Sequence, residues 1–155
     1  MGFATWRGDK IPCPEAERHS LRLHHVGCAV REIAPAVQRY REIYGFTNVS
    51  LPIHVPAQRA NVCFVEVAPQ IYVEFVEPAG PDSPVEGVLA RTGGGLYHLC
   101  FEVEDLDLAI RELRSRGYSP ISKFEASGNG PHRFVFLLDP DRQVLELCEK
   151  APSAP

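Results

Sequence analysis

The chain contains one pattern of residues twice, and this internal repeat limits the folds that it can adopt. Two short apolar segments, residues 23–30 and 96–103, each carry a histidine among apolar neighbours. The repeat offset is 72 or 73 residues for four pairs: His25 and His98, Glu74 and Glu146, Val37 and Ile110, and Gly45 and Gly117. A near-constant offset over several features predicts that one structural unit occurs twice.

Hydrophobic periodicity predicts the order strand, helix and three strands in each unit. Apolar residues that alternate with a period of two indicate strands, and spacings of three and four residues indicate helices. The predicted helices are residues 32–44, 85–91 and 105–117, and the predicted strands are residues 22–30, 47–51, 60–67, 71–77, 95–103, 119–124, 132–138 and 143–148. A four-stranded half of this kind places its helix on one face and leaves the other face curved.

The length of 155 residues suits a single domain built from two halves with a shared core. We expect an irregular N-terminal arm over 1–20, one domain over 21–150 and a tail over 151–155. Within the domain, the expected divisions are a first module over 21–78, a proline- and glycine-rich linker over 79–94 and a second module over 95–150.

Composition excludes several classes of function. A formal net charge of −4 argues against a nucleic-acid-binding or anionic-membrane surface. No apolar run approaches the roughly 18 residues that span a bilayer, and the N-terminal residues lack the apolar segment of a secretory signal. The five cysteines are odd in number, widely spaced and without a Cys-x-x-Cys pair, so we expect a reducing, cytoplasmic location.

Four polar residues share the strand face that points away from the helices. His25 lies on that face of its strand by parity, whereas His24 shares parity with Val26 and is predicted to be a structural histidine. His98, Glu74 and Glu146 fall on the same face of their strands. A carboxylate in an apolar strand is costly unless it is paired or coordinated, so the four are predicted to hold one divalent metal ion. The alternative is that the two glutamates are edge-strand charges in solvent.

Five segments resemble the vicinal oxygen chelate superfamily and, within it, the methylmalonyl-CoA epimerases. They are HHVGCAV at 24–30, EFVEP at 74–78, DSPVEG at 82–87, GGGLYH at 93–98 and VLEL at 144–147. The resemblance implies an α+β fold of two tandem βαβββ modules, which form a curved, incomplete barrel of about eight mixed strands with the helices outside. It also implies a metal site at His25, Glu74, His98 and Glu146, and a homodimer.

The chemistry of such a site is proton transfer at a carbon next to a carbonyl group. A bound divalent ion (Co, Ni, Zn, Mn or Mg) stabilises the negative charge that forms on the carbonyl oxygen. Epimerases of the family place a catalytic glutamate just before the third strand, where residues 55–60 here contain no carboxylate. The predicted catalytic residues are Glu146, Glu74 and His132, and the predicted substrate-binding residues are Arg59, Arg133 and Gln58, with a solvated surface role as the alternative for both arginines.

Three functions are compatible with this pattern, and a ring-cleaving dioxygenase is a weaker fourth, since such sites usually need two histidines and one carboxylate. The first is a metal-dependent isomerase or epimerase of methylmalonyl-CoA type, acting on a small carbonyl compound or acyl thioester. The second is a lyase like glyoxalase I, which acts on the thiol adduct of a 2-oxoaldehyde. The third is a small-molecule-binding or resistance protein of the same fold that catalyses no reaction. We expect no nucleic-acid partner and no membrane partner for any of the three.

Overall fold

The computed structural model describes residues 21–122, 125–126 and 133–150. The predicted N-terminal arm over 1–20 and the tail over 151–155 lie outside the described residues. Three helices are described: α1 (Ile33–Tyr44), α2 (Pro84–Thr92) and α3 (Leu106–Ser115). The described strands are β1 (Arg22–Ala29), β2 (Ile53–Val55), β3 (Ala60–Ala68), β4 (Ile71–Pro78), β5 (Gly95–Val103), β6 (Ser119–Pro120), β7 (Glu125–Ala126), β8 (Arg133–Leu138) and β9 (Val144–Glu149).

The strands form one mixed, curled sheet with the repeat visible in its order. The order is β2-β3-β4-β1-β5-β9-β8-β6, and β7 pairs with β8. The first strands of the two halves, β1 and β5, pair antiparallel at the centre. Each has a parallel partner on its other side, β4 beside β1 and β9 beside β5. This half-barrel confirms the predicted fold class of two βαβββ modules, with α1 and α3 on the outer face; α2, which lies between the modules, packs against the inner face instead.

Alternation along the strands separates the two faces of the sheet. On the outer face, Val73 and Phe75 of β4 pack with Ile33 and Ala36 of α1, and a second cluster packs in the same way under α3. On the inner face, Val76 packs with buried residues of β1, β2, β3, α2 and β8. Burial of these two sets stabilises the fold and leaves the remaining inner-face positions available for a site.

Three element predictions are wrong in detail. Residues 47–51 form no strand; only Val49 makes an isolated bridge, to Val65. The edge strand is β2 instead, because the tight 3-10 turn Pro56–Gln58, followed by Arg59 at φ 48°, folds residues 53–55 back onto β3. Of the predicted strand 119–124, the structure describes residues 119–122, and only Ser119–Pro120 of these form a strand, β6. The predicted helix 105–117 is shorter, because Asp105 is its N-cap and it ends at Ser115. No helix in the described part of the chain is long and apolar enough to cross a membrane.

Candidate metal centre and adjoining cavity

The four predicted ligand residues meet at the centre of the sheet's inner face. Their strands are adjacent in the order β4, β1, β5 and β9, so the spatial order is Glu74, His25, His98 and Glu146. Their exposed fractions are 9%, 3%, 2% and 7% in that order. Since β4 and β9 are interior strands, the alternative of solvent-facing edge charges does not hold for either glutamate.

The distances between the ligand atoms suit a shared cation. His25 Nε2 lies 3.1 Å from His98 Nε2, 3.1 Å from Glu146 Oε2 and 3.3 Å from Glu74 Oε2. One ring nitrogen carries at most one proton, so it cannot satisfy three such neighbours by hydrogen bonding. Bonds of about 2 Å to a tetrahedral ion would place its ligand atoms roughly 3.3 Å apart. The donor set of two imidazoles and two carboxylates therefore fits a divalent metal ion.

Electrostatics at the centre favour bound positive charge. Burial opposes protonation of His25, but the carboxylates of Glu74 and Glu146 outweigh it and raise the pKa of His25 to about 10. Burial likewise opposes ionisation of Glu146, but hydrogen bonds and charge from His25 and His98 lower the pKa of Glu146 to about 2. A proton on His25 neutralises part of the negative charge of the two buried carboxylates, and a divalent cation would neutralise all of it.

A β-bulge corrects the prediction for His24. In the pairing of β1 with β5, Leu23 lies opposite Phe101 and His25 lies opposite Cys100, so His24 is an extra residue. The bulge brings His24 to the inner face, where its Nδ1 lies 2.8 Å from Nδ1 of His25. His24 is therefore a neighbour of the centre and not a structural histidine under a helix, because the bulge breaks the period of two.

Gly27 makes room for the ring of His98. A Cβ atom on Gly27 would lie 1.9 Å from Cε1 and 2.5 Å from Nε2 of that ring. The same ring contacts Tyr97 edge-on, with centroids 4.5 Å apart. Its Nδ1 is buried and has no hydrogen-bond partner among the described residues, so contacts with Gly27 and Tyr97 hold that side of the ring, while its Nε2 lies 3.1 Å from both His25 Nε2 and Glu146 Oε2.

A cavity of about 280 Å³ adjoins the centre on the inner face. Val76 and Val144, each two residues from a glutamate of the centre, line it together with Tyr97 and Phe136. Burial, reinforced by the charges of Glu74 and Glu146, raises the pKa of Tyr97 well above its usual value, so its phenol stays protonated. Three polar side chains also line the cavity: Gln58, Arg91 and Ser122.

Comparison with known proteins identifies the family. Residues 24–136 match the sequence model of the Glyoxalase/Bleomycin resistance protein/Dioxygenase superfamily. The chain belongs to this superfamily. The match covers most of the chain and includes the strands that carry His25, Glu74 and His98. It confirms the family resemblance that the sequence motifs indicate.

Relatives of this superfamily member include epimerases. Ethylmalonyl-CoA/methylmalonyl-CoA epimerase of Cereibacter sphaeroides is 32% identical over 77% of this chain and 88% of its own. Human mitochondrial methylmalonyl-CoA epimerase is 31% identical over 75% of this chain, which spans 65% of that protein's length. A solved variant of Streptomyces coelicolor methylmalonyl-CoA epimerase, in complex with 2-nitronate-propionyl-CoA, matches with a TM-score of 0.76 and 26% identity over 84% of this chain and 98% of that one.

The predicted substrate-binding residues fall at different places. Gln58 lines the cavity, but neither arginine does among the described residues. Arg59 is exposed and lies 3.7 Å from Asp82. Arg133 lies on the outer face, where it donates two hydrogen bonds of 3.0 Å to Asp107 of α3. His132, predicted as a catalytic residue, lies outside the described residues.

Sequence reasoning missed Arg91, Gly27 and the inner-face position of His24. Arg91 follows the helical period of α2, and nothing in that period signals that this residue lines the cavity. Gly27 stands in a strand interior, where an isolated glycine is a signal for close approach by another group. The consecutive histidines could have suggested a bulge, but strand parity alone assigns them to opposite faces.

Proposed function

We propose that this protein is a divalent-metal-dependent epimerase or isomerase that moves a proton at the carbon next to the carbonyl group of an acyl thioester. The observation that carries the proposal is the buried centre of two histidines and two glutamates beside an apolar cavity. The epimerases among the relatives support the same reaction class. The ion would be one of Co, Ni, Zn, Mn or Mg.

The roles of the four residues follow from their order across the sheet. His25, His98, Glu74 and Glu146 would hold the ion, which when bound supplies Lewis-acid stabilisation of negative charge on the substrate's carbonyl oxygen. Glu74 and Glu146 flank the two histidines from opposite sides, one from each module. Epimerisation needs a proton removed from one face of a carbon and returned to the other. We assign removal of the proton to one of the two carboxylates, and its return to the opposite face to the other, which must first take up a proton from water.

The cavity would bind the acyl group of the substrate. Its lining is mostly apolar, which suits a short carbon chain and excludes water from the reacting carbon. Arg91 provides a positive charge at the lining for an anionic group of the substrate, and Gln58 provides an amide. The complex of the Streptomyces coelicolor epimerase with 2-nitronate-propionyl-CoA supports a coenzyme A thioester as the substrate class.

Hydrogen exchange tests the proposal directly. The metal-loaded protein is incubated with methylmalonyl-CoA in deuterated water, and deuterium at the carbon between the two carbonyl groups is followed by mass spectrometry. We expect enzyme-dependent exchange, and at least a hundredfold loss in Glu74→Gln and Glu146→Gln, since general acid–base catalysis contributes about 10²–10⁴-fold. The metal content of each variant is measured, so that loss of the ion is distinguished from loss of the base.

Two other outcomes would replace the proposal. Turnover of the methylglyoxal–glutathione adduct without exchange into acyl thioesters would assign the protein as a lyase of glyoxalase I type. Saturable binding of small molecules by the metal-loaded protein, without turnover of either substrate, would assign it as a binding or resistance protein. We also propose that the protein is cytoplasmic and forms a homodimer. The four cysteines described in the structure are free thiols, which is consistent with a reducing location.

A further inference from the structure

Three potential ligands beside the proposed metal centre take no part in it. Each of His24, Cys100 and Cys148 offers one ligand atom, and these three atoms lie within 4.8 Å of one another. The sulfur atoms of the two cysteines are 3.4 Å apart. Cys100 is fully buried, and the other two residues are half-buried.

The architecture that builds the first centre also brings these three residues together. Cys100 follows His98 by two residues on β5, and Cys148 follows Glu146 by two residues on the parallel neighbour β9. Side chains two residues apart share a strand face, so both thiols lie on the inner face one step along from the centre. The bulge in β1 turns His24 to the same face. Without the bulge the imidazole would face α1.

We propose that His24, Cys100 and Cys148 form a second metal site, selective for a thiophilic ion such as Zn²⁺. Two sulfurs and one imidazole are a ligand set that zinc and other soft ions prefer, whereas the carboxylate-containing centre suits harder ions. Zinc–sulfur bonds of about 2.3 Å in a tetrahedral site place the two sulfurs roughly 3.7 Å apart. The observed 3.4 Å separation reaches that value with a movement of a few tenths of an ångström.

The second site adjoins the first through a direct contact between histidines. Nδ1 of His24 lies 2.8 Å from Nδ1 of His25, whose Nε2 belongs to the first centre. An ion held by His24 would limit the movement of that ring and, through it, of the His25 ring. Neighbours that orient a metal-ligating histidine tune metal affinity, so occupancy of the second site would alter binding at the first. The second site does not depend on the reaction proposed above.

Cobalt titration of the full chain tests this site, since Co²⁺ replaces Zn²⁺ and reports its ligands by absorption. The reduced protein is stripped with a chelator and titrated with Co²⁺. We expect two ions per chain, of which one produces the near-ultraviolet charge-transfer band of thiolate ligands. Cys148→Ser is expected to abolish that band and to bind one ion. Cys28→Ser, which changes another half-buried thiol at a distance from the site, should keep both ions and the band.

A second variant separates the two sites. Glu74→Gln combined with Glu146→Gln should weaken the first centre and keep the thiolate band. One ion per chain without a thiolate band in the unaltered protein would overturn the proposal, as would an unchanged band in Cys148→Ser. Circular dichroism checks the fold of each variant, and His24→Ala replaces Cys148→Ser if the latter does not fold. An undiminished band in a folded His24→Ala would exclude the imidazole as a ligand and also overturn the proposal.

Discussion

Gly27 shows how a single residue without a side chain can shape a candidate metal centre. The ring of His98 occupies the space that a Cβ atom on Gly27 would need, with three ring atoms within 2.5 Å of that position. Because Nδ1 of His98 has no hydrogen-bond partner among the described residues, packing positions that side of the ring. A methyl group at position 27 would therefore act on the ligand directly.

Gly27→Ala is predicted to displace the His98 ring and to weaken metal binding by at least tenfold. The forced movement should also destabilise the protein by about 1–3 kcal/mol, the usual range for overpacking. Gly87→Ala is the matched control, because its Cβ would meet only the flexible Arg91 Nη1 at 3.3 Å. In a helix that change should be neutral or stabilising. Metal titration and urea unfolding measure both effects, and equal behaviour of the two variants would contradict the role of Gly27.

His25 determines the predicted pH dependence of metal binding. With its pKa raised to about 10, His25 carries a proton at pH 7 in the metal-free protein, and an ion must displace that proton. Apparent affinity should therefore rise about tenfold per pH unit from pH 7 towards pH 10. The same proton stabilises the metal-free fold fully below pH 6.5, the ordinary histidine pKa, and that contribution is lost as the pH rises through about 10.

Calorimetry measures this displacement. Titrations at pH 8 with Mn²⁺, which thiolate ligands do not favour, in two buffers of different ionisation enthalpy should show release of about one proton per ion bound. Heats that do not depend on the buffer would contradict the protonated state of His25.

Arg91 is predicted to bind an anionic group of the substrate. Removal of one charged hydrogen bond costs about 1.5–3 kcal/mol, so Arg91→Ala should raise KM by roughly 10- to 100-fold with little change in kcat. Arg133→Ala is the control, because that guanidinium lies on the outer face with Asp107. Steady-state kinetics with an acyl thioester distinguish the two, and a normal KM for Arg91→Ala would remove it from the proposed site.

At the scale of elements, each half has a glutamate at the end of a strand that accepts a hydrogen bond from the N-terminus of a helix. Glu77 Oε2 in β4 accepts a hydrogen bond of 2.7 Å from Ile33 N, the first residue of α1. Glu149 Oε1 in β9 accepts a longer one of 3.4 Å from Leu106 N, the first residue of α3. The two helices differ, because Asp105 also caps α3 whereas α1 has no side-chain cap of its own.

Glu77→Ala is therefore predicted to destabilise the protein more than Glu149→Ala. The first change leaves the N-terminus of α1 without its carboxylate, at a cost of about 1.5–3 kcal/mol for a charged hydrogen bond. The second should cost less than about 1 kcal/mol, because Asp105 still accepts a hydrogen bond from Leu108. Urea unfolding of both variants measures the difference, and the reverse ranking would show that the strand-end glutamates do not act as caps.

At the scale of the whole molecule, the candidate metal centre joins the two halves of the repeat. Each module contributes one histidine and one glutamate, and the central pairing of β1 with β5 brings the two imidazole rings into an edge-on contact with centroids 5.3 Å apart. An ion would bind at this centre only in the folded protein, where both modules are in place. Metal binding and global stability should therefore be linked.

Metal removal is predicted to lower the melting temperature by roughly 10 °C. An ion present at a thousandfold excess over its Kd contributes about 4 kcal/mol, and each kcal/mol shifts a domain of this size by several degrees. Scanning calorimetry before and after chelation measures the shift. The double variant Glu74→Gln and Glu146→Gln should show little shift on addition of Mn²⁺, which thiolate ligands do not favour, and a shift as large as that of the unaltered protein would place the stabilising ion elsewhere.

The repeat made most of the fold predictable, and local exceptions to regular geometry account for the errors. Period-two patterns located β5 at its observed bounds, and a proline- and glycine-rich linker located α2 to within a residue. The edge strand was misplaced because the turn at Pro56–Gln58, and not strand propensity at 47–51, selects the segment that pairs with β3. The alternation of side chains along each strand placed the four ligand candidates on one face, but this rule cannot place a bulged residue such as His24.

The amino-acid sequence by itself determined the repeat, the fold class and the four polar residues on one face, because these depend on local periodicity and on a constant offset. The tertiary structure decided which polar residues meet. Strand order placed Glu74 and Glu146 on either side of the histidines, the bulge brought His24 beside Cys100 and Cys148, and the path of α2 brought Arg91 to the cavity. Such contacts arise from pairing between distant strands, and no local pattern of residues encodes that pairing.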